Sequence, residues 1–165
     1  MSEDMLKWLR FAVEIEEKGL AFYKECLNES RHQQAIELFD YLIKAETGHR
    51  RVLKDLIDAV SHGDKAQVEK SVESFLKIDI HIPMFDKDKI EKMIGPTARL
   101  TEIFNTAMEF EEKGIELYSD LAKKTDDPEL EKLFTKLASD EKRHKKDIKD
   151  IGQFVFGVGP APGVR

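Results

Sequence analysis

Thiols are nearly missing from this chain: Cys26 is its one cysteine in 165 residues. That excludes an intramolecular disulfide and any zinc or iron–sulfur site built from several thiolates. At 100° per residue Cys26 falls on the apolar side of its helix, so it reads as an inert core thiol rather than a nucleophile. Aromatics are also scarce, at 8%, against 36% charged residues, a balance that suits long amphipathic helices better than a β-sandwich. Long apolar runs are missing too: none reaches eighteen residues, and Met1 to Phe11 holds no stretch of signal-peptide length. A cytoplasmic protein with no membrane association is expected. A concentrated basic face is absent as well. With a net charge of −6 and a pI near 5.5 the chain is not expected to bind nucleic acid. Its most basic run, Lys142 to Lys149, is surrounded by Asp140, Glu141, Asp147 and Asp150 and reads as a solvated helix face.

What is present is a repeat. "AVEIEEKGLAFY" (Ala12 to Tyr23) returns 95 residues later as "AMEFEEKGIELY" (Ala107 to Tyr118), with seven identities in twelve positions. The same shift aligns Phe39, Leu42, Glu46 and His49 with Phe134, Leu137, Glu141 and His144 without a gap. Each half therefore holds two segments in one shared register, and apolar spacing predicts a helix for all four. The first spans about Glu3 to Asn28, with Ser2 where an N-cap belongs. The second runs from about His32 to Val60 and stops before Gly63. A third follows Gly95 to Thr97 and runs to about Lys124. Asp127 as N-cap and Pro128 as first helical residue open a fourth, which ends near Gly152.

The organisation predicted is one all-α domain over residues 1–165. Hairpin 1 covers about 3–60, a crossover about 61–96, hairpin 2 about 97–151 and an extended Gly/Pro-rich tail 152–165. The crossover should contain a short helix from Lys65 to Leu76, an extended piece from Lys77 to Phe85 and a further helical turn from Asp88 to Met93. Its apolar residues Ile82, Met84 and Phe85 either cover the bundle or reach a second subunit. Two helical hairpins joined by a long crossover is the connectivity of ferritin-like four-helix bundles.

Helical angles separate the glutamates. In the first helix Trp8, Leu9, Phe11, Ile15, Leu20, Phe22 and Leu27 define an apolar arc of roughly 200°. Glu16 lies inside that arc, Glu14 and Glu17 outside. In the third, Glu111 is inside and Glu109 and Glu112 outside. Glu46 with His49, and Glu141 with His144, sit three residues apart near the middle of the second and fourth apolar stripes, so each pair shares a face. At about 1.5 Å rise per residue, Glu16 and Glu46 lie at similar depth from the first hairpin turn, and Glu111 and Glu141 from the second. Buried carboxylates without partners cost several kcal/mol or take up protons. No lysine or arginine is expected at that level. Two divalent cations would balance the four carboxylates, and this reading has the charges balance only with metal. Glutamate oxygens with imidazole nitrogens suit iron or manganese better than a structural zinc site.

Glu16 with Tyr23, Glu46-x-x-His49, Glu111 with Tyr118 and Glu141-x-x-His144 together resemble the rubrerythrin branch of the ferritin-like superfamily. The resemblance covers both hairpins. It implies a metal set of Glu16, Glu46, His49, Glu111, Glu141 and His144 holding two iron ions, with manganese or a mixed pair as the variant. Glu46 and Glu141 would be the bridging pair. Together with Tyr23 and Tyr118, whose hydroxyls would stand near the carboxylates, they would form the catalytic set. The residues alone also allow those tyrosines to be plain core aromatics. Rubrerythrins proper carry a rubredoxin-like domain with a four-cysteine iron, which this sequence lacks. They also have an additional glutamate where this sequence has Gly114. The expected activity is reduction of peroxide, or oxidation of Fe(II) by dioxygen or peroxide, with electrons from a separate protein such as a rubredoxin and with a homodimer or larger homo-oligomer as the assembly. The competing readings are a structural or metal-buffering bundle without turnover and a di-manganese, catalase-like protein. Gly19 and Gly114 face inward, which suggests close helix approach. His32, His62 and His81, which lack partners at ligand spacing, are expected at the surface or at caps.

Overall fold

A computed structural model describes residues 3–78 and 98–156 of the chain. Among them lie five helices and no strand: α1 (Glu3–Glu29), α2 (Gln33–Ser61), α3 (Lys65–Leu76), α4 (Ala98–Lys124) and α5 (Pro128–Phe156). α1 packs along α2, and α4 along α5, as two antiparallel hairpins. Contact between the hairpins is sparser and runs through α1 with α4 and α2 with α5. The all-α, ferritin-like bundle read from the sequence is the observed architecture. Ser2, most of the Lys77 to Phe85 piece, the turn over Asp88 to Met93 and residues 157–165 of the tail lie outside the described residues, as does His81.

The helix ends follow local chemistry. Asp127 Oδ1 accepts from the backbone N–H groups of Glu129 and Leu130 at 2.9 and 3.3 Å, which caps α5 ahead of Pro128. Gly63 has φ of 68°, the left-handed conformation that closes α2. Its N–H reaches the Val60 carbonyl, and that of Asp64 reaches Ala59. Asp64 then caps α3 by accepting from Gln67 N–H at 2.9 Å. Val68, Val72 and Phe75 of α3 are buried where that helix lies against α2 and α5. His32 precedes α2 and His62 follows it, both at caps as expected.

Two expectations change. α5 does not end at Gly152 but continues to Phe156. Gly152 is an inward-facing position at which an added Cβ would meet Phe104 Cδ1 at 2.9 Å. Its lack of a side chain permits close packing against α4 rather than a stop, and it lies four residues inside the helix. Secondly, Trp8 and Phe11 stand outside the core at 39% and 45% exposure. The 200° arc drawn from apolar residues is broader than the face α1 buries. Trp8 instead carries the Lys124 ammonium over its ring, 5.1 Å from the centroid.

The core comes in two parts. Leu9, Leu53, Leu56, Leu121, Leu130 and Leu133 belong to a cluster at one end of the bundle. Cys26, Leu38, Phe39, Phe104 and Ile148 belong to a cluster at the other. Each fully buried leucine or phenylalanine contributes about 1.5–3 kcal/mol. Between the two clusters lies a layer of buried polar side chains.

Candidate metal centre

Each of the four long helices puts one glutamate into that layer. Glu16, Glu46, Glu111 and Glu141 are all 3% exposed, His49 is 3% exposed, and His144 is fully buried. The outer glutamates of the repeated phrase stay at the surface. Glu17 accepts from Lys54 at 2.7 Å, and Glu112 from Lys145, so each ties together the two helices of its own hairpin.

The geometry is that of two shared positions. His49 Nδ1 lies 3.0 Å from Glu46 Oε2, 3.1 Å from Glu141 Oε1 and 3.8 Å from Glu16 Oε2. His144 Nδ1 lies 3.1 Å from Glu46 Oε1, 3.2 Å from Glu141 Oε2 and 3.4 Å from Glu111 Oε2. Glu46 and Glu141 thus send one oxygen to each imidazole, while Glu16 and Glu111 each serve one. The two rings stack with centroids 5.5 Å apart and planes at 21°. Two overlapping groups result, Glu16–Glu46–His49–Glu141 and Glu46–Glu111–Glu141–His144, with the ligand atoms of each within 4.8 Å of one another. Glu46 Oε1 and Glu111 Oε2 are buried without a hydrogen-bond partner, although both point at His144 Nδ1. Lone pairs that converge without bonding one another fit a divalent cation, and the oxygen and imidazole donor set fits iron or manganese.

The tyrosines cross over. Tyr23 of α1 donates to Glu111 Oε1 of α4, and Tyr118 of α4 donates to Glu16 Oε1 of α1. Each hydroxyl therefore orients the carboxylate of the opposite hairpin, a pairing that spacing along one helix does not reveal.

Electrostatics explain how side chains alone sustain this layer. Burial, then the charge of Glu46, raises the Glu16 carboxyl well above its usual range; burial, then Glu141, does the same for Glu111. Burial also pushes Glu46 up, but the charge of His49, then the nearby Glu16, His144 and His49 groups, outweigh it and hold Glu46 well below. Glu141 is lowered in the same manner against burial and the Glu46 charge. Burial disfavours charge on both imidazoles, yet the carboxylates around them raise both well above the ordinary histidine value. The upward shifts on Glu16, Glu111, His49 and His144 all favour bound protons, so protons and metal compete for the same layer, and metal would displace protons from it.

Sequence reasoning missed Asp140. Read as part of a solvated face, it is 5% exposed. Its Oδ2 lies 3.6 Å from His49 Nε2, while Lys136 and Arg143 hold its oxygens at 2.5 and 3.0 Å. Burial opposes its charge, but His49 and Lys136 bring the carboxyl down to about 2. Its place immediately before the inward Glu141 was the available signal. The basic run is otherwise split by face: Lys142, Lys146 and Lys149 are exposed, His144 and Ile148 buried.

The inward glycines differ from each other. A Cβ on Gly114 would meet Glu141 Cγ at 3.0 Å, the expected close approach, whereas a Cβ on Gly19 would meet nothing within 4 Å. Both glycines line a small cavity against the carboxylates, with Ile15, Tyr23 and Phe110 among its walls. Cys26 is buried as expected, and burial pushes its thiol up to about 12. No helix among the described residues is long and apolar enough to cross a membrane.

No curated protein and no solved structure matches the chain. The Rubrerythrin family model does, over residues 7–152, a span that takes in both hairpins and every residue of the polar layer. The chain belongs to the rubrerythrin family.

Proposed function

We propose that this protein is a di-iron oxidoreductase that reduces hydrogen peroxide with electrons from a separate donor protein. The observation that carries the reading is the bridging arrangement of Glu46 and Glu141, each with one oxygen toward each imidazole. In this reading Glu16 and His49 complete one iron position, Glu111 and His144 the other, and Glu46 and Glu141 span the two. An iron pair held by these residues would supply the two electrons that peroxide reduction needs, with the donor protein restoring them.

The chain's own residues select the oxidant and handle its protons. The cavity beside the carboxylates has a volume of about 20 Å³, room for about one or two water-sized molecules by the same measure. Such a space suits a molecule the size of peroxide or dioxygen. Ile15 and Phe110 supply the apolar part of its wall opposite the carboxylates' polar one, and the glycine at position 19 leaves space there. Converting peroxide to two waters consumes two protons. Tyr23 lines this cavity, and its hydroxyl donates to Glu111 Oε1; the Tyr118 hydroxyl donates to Glu16 Oε1. Burial, then the neighbouring carboxylates, raises both phenols well above their usual range, so both stay protonated and keep their hydrogen bonds to Glu111 and Glu16.

Metal analysis of natively produced protein should give two irons per chain. The reduced protein should consume peroxide in stoichiometric amounts, and catalytically once a reductant such as a reduced rubredoxin is added. Iron binding that survives replacement of both Glu46 and Glu141 by alanine would sink the assignment. Two manganese ions with peroxide disproportionation, or tight metal binding with no peroxide consumption, would point to the catalase-like or metal-holding alternatives.

A further inference from the structure

The 95-residue repeat breaks at the backs of the two imidazoles. Position 140 is aspartate and position 136 lysine, but their counterparts in the first half are Ala45 and Tyr41. Asp140 therefore stands behind His49, with Oδ2 3.6 Å from Nε2. That is a charge contact slightly longer than a hydrogen bond, made by a carboxylate that Lys136 and Arg143 hold in place. Behind His144 no carboxylate among the described residues comes within ion-pair distance of Nε2, although Asp147 lies near enough on the same helix for the two charges to act on each other. Its Nε2 is buried without a hydrogen-bond partner, and the Tyr41 ring meets the His144 ring edge-on, with centroids 5.6 Å apart and planes at 90°.

A metal bound at Nδ1 takes that nitrogen's lone pair, so the imidazole proton must sit on Nε2. A carboxylate on that proton fixes the tautomer, orients the ring and makes Nδ1 a stronger donor. A buried N–H with no acceptor does none of these and keeps its own desolvation penalty. The four carboxylates are closely matched between the two sides, since Glu46 and Glu141 serve both and Glu16 and Glu111 correspond by the repeat, each with a tyrosine donor.

We propose that the two metal positions are unequal: the His49 side binds first and more tightly, and Asp140 is the positioning residue that makes it so. This rests on the two-metal reading of the site and assigns an order of filling within it.

The test is an anaerobic titration of the full-length protein with Co(II), followed by calorimetry and by NMR of the hyperfine-shifted ring N–H of each histidine. Two Co(II) per chain should bind, the first about tenfold or more tighter than the second. The His49 N–H signal should appear with the first equivalent and that of His144 only with the second. In Asp140→Asn the tight step should weaken about tenfold and the two signals grow together. A merely structural role for Asp140 would lower the melting temperature of the metal-stripped protein but leave the order of the signals unchanged. Should Asp140→Asn fail to fold, the order in the wild-type protein still decides. Equal steps, His144 filling first, or an unchanged order in Asp140→Asn would each overturn the inference. Fewer than two Co(II) per wild-type chain would instead overturn the two-metal reading.

Discussion

At the residue scale the crossed tyrosines are the most direct link between the hairpins. Tyr23 and Tyr118, both buried, each reach a glutamate of the opposite hairpin. Tyr23→Phe and Tyr118→Phe should each destabilise the protein by about 1–2 kcal/mol, seen as a fall in melting temperature, while two metals per chain still bind. Loss of metal from either variant would mean that the hydroxyl does more than orient its carboxylate. The two inward glycines make a paired test. Gly19→Ala adds a methyl group to open space and removes the helix penalty of glycine, so it should be neutral or stabilise by up to about 1 kcal/mol. Gly114→Ala pushes against Glu141 Cγ at 3.0 Å and should weaken metal binding measurably in a competition titration with a chelator.

The element that matters most beyond the four long helices is α3. Phe75 is buried, and its ring meets the His49 imidazole edge-on with centroids 5.8 Å apart. This short helix therefore closes the side of the bundle on which His49 lies. Phe75→Ala should cost about 3–5 kcal/mol of stability, measured by denaturant unfolding, and should loosen metal at His49 more than at His144. The α3 boundaries were legible from sequence, since Asp64 is a capping residue after a glycine and apolar positions recur three and four residues apart. Its docking partner was not legible, because the pattern shows that a face is apolar but not what covers it. The end of α5 shows the converse limit. Glycine at 152 reads locally as a terminator, and only the nearness of Phe104 turns it into a packing position.

At the scale of the whole molecule, the polar layer divides the core and couples stability to protons and to metal. Glu16, Glu111, His49 and His144 hold protons more tightly folded than unfolded. Their contribution to the metal-stripped protein is present at low pH and lost as pH rises through the raised folded values. Glu46 and Glu141 are lowered, so their contribution is present above the ordinary carboxylate value of about 4.3 and lost as pH falls below it. Stripped protein should therefore be most stable in mildly acid solution and lose stability at alkaline pH. Metal-loaded protein should run the other way, gaining from about pH 5 to about pH 8 as protons stop competing for the ligands. Melting curves with and without chelator across that range check both signs. Metal binding in weak buffer should release protons; a release near zero would show that these side chains do not favour bound protons in the stripped protein.

The sequence by itself determined the helices, the two hairpins and the inward glutamates and histidines, because helical periodicity is local and the repeat wrote each register twice. It also fixed equal depth for Glu16, Glu46, Glu111 and Glu141, since rise per residue is constant. Only the tertiary structure decided which oxygen faces which imidazole, which tyrosine serves which glutamate, and that Asp140 stands behind His49 while His144 has no such partner. Those relations join residues of different helices, and they depend on the rotation and separation of packed helices, which no spacing along one chain encodes.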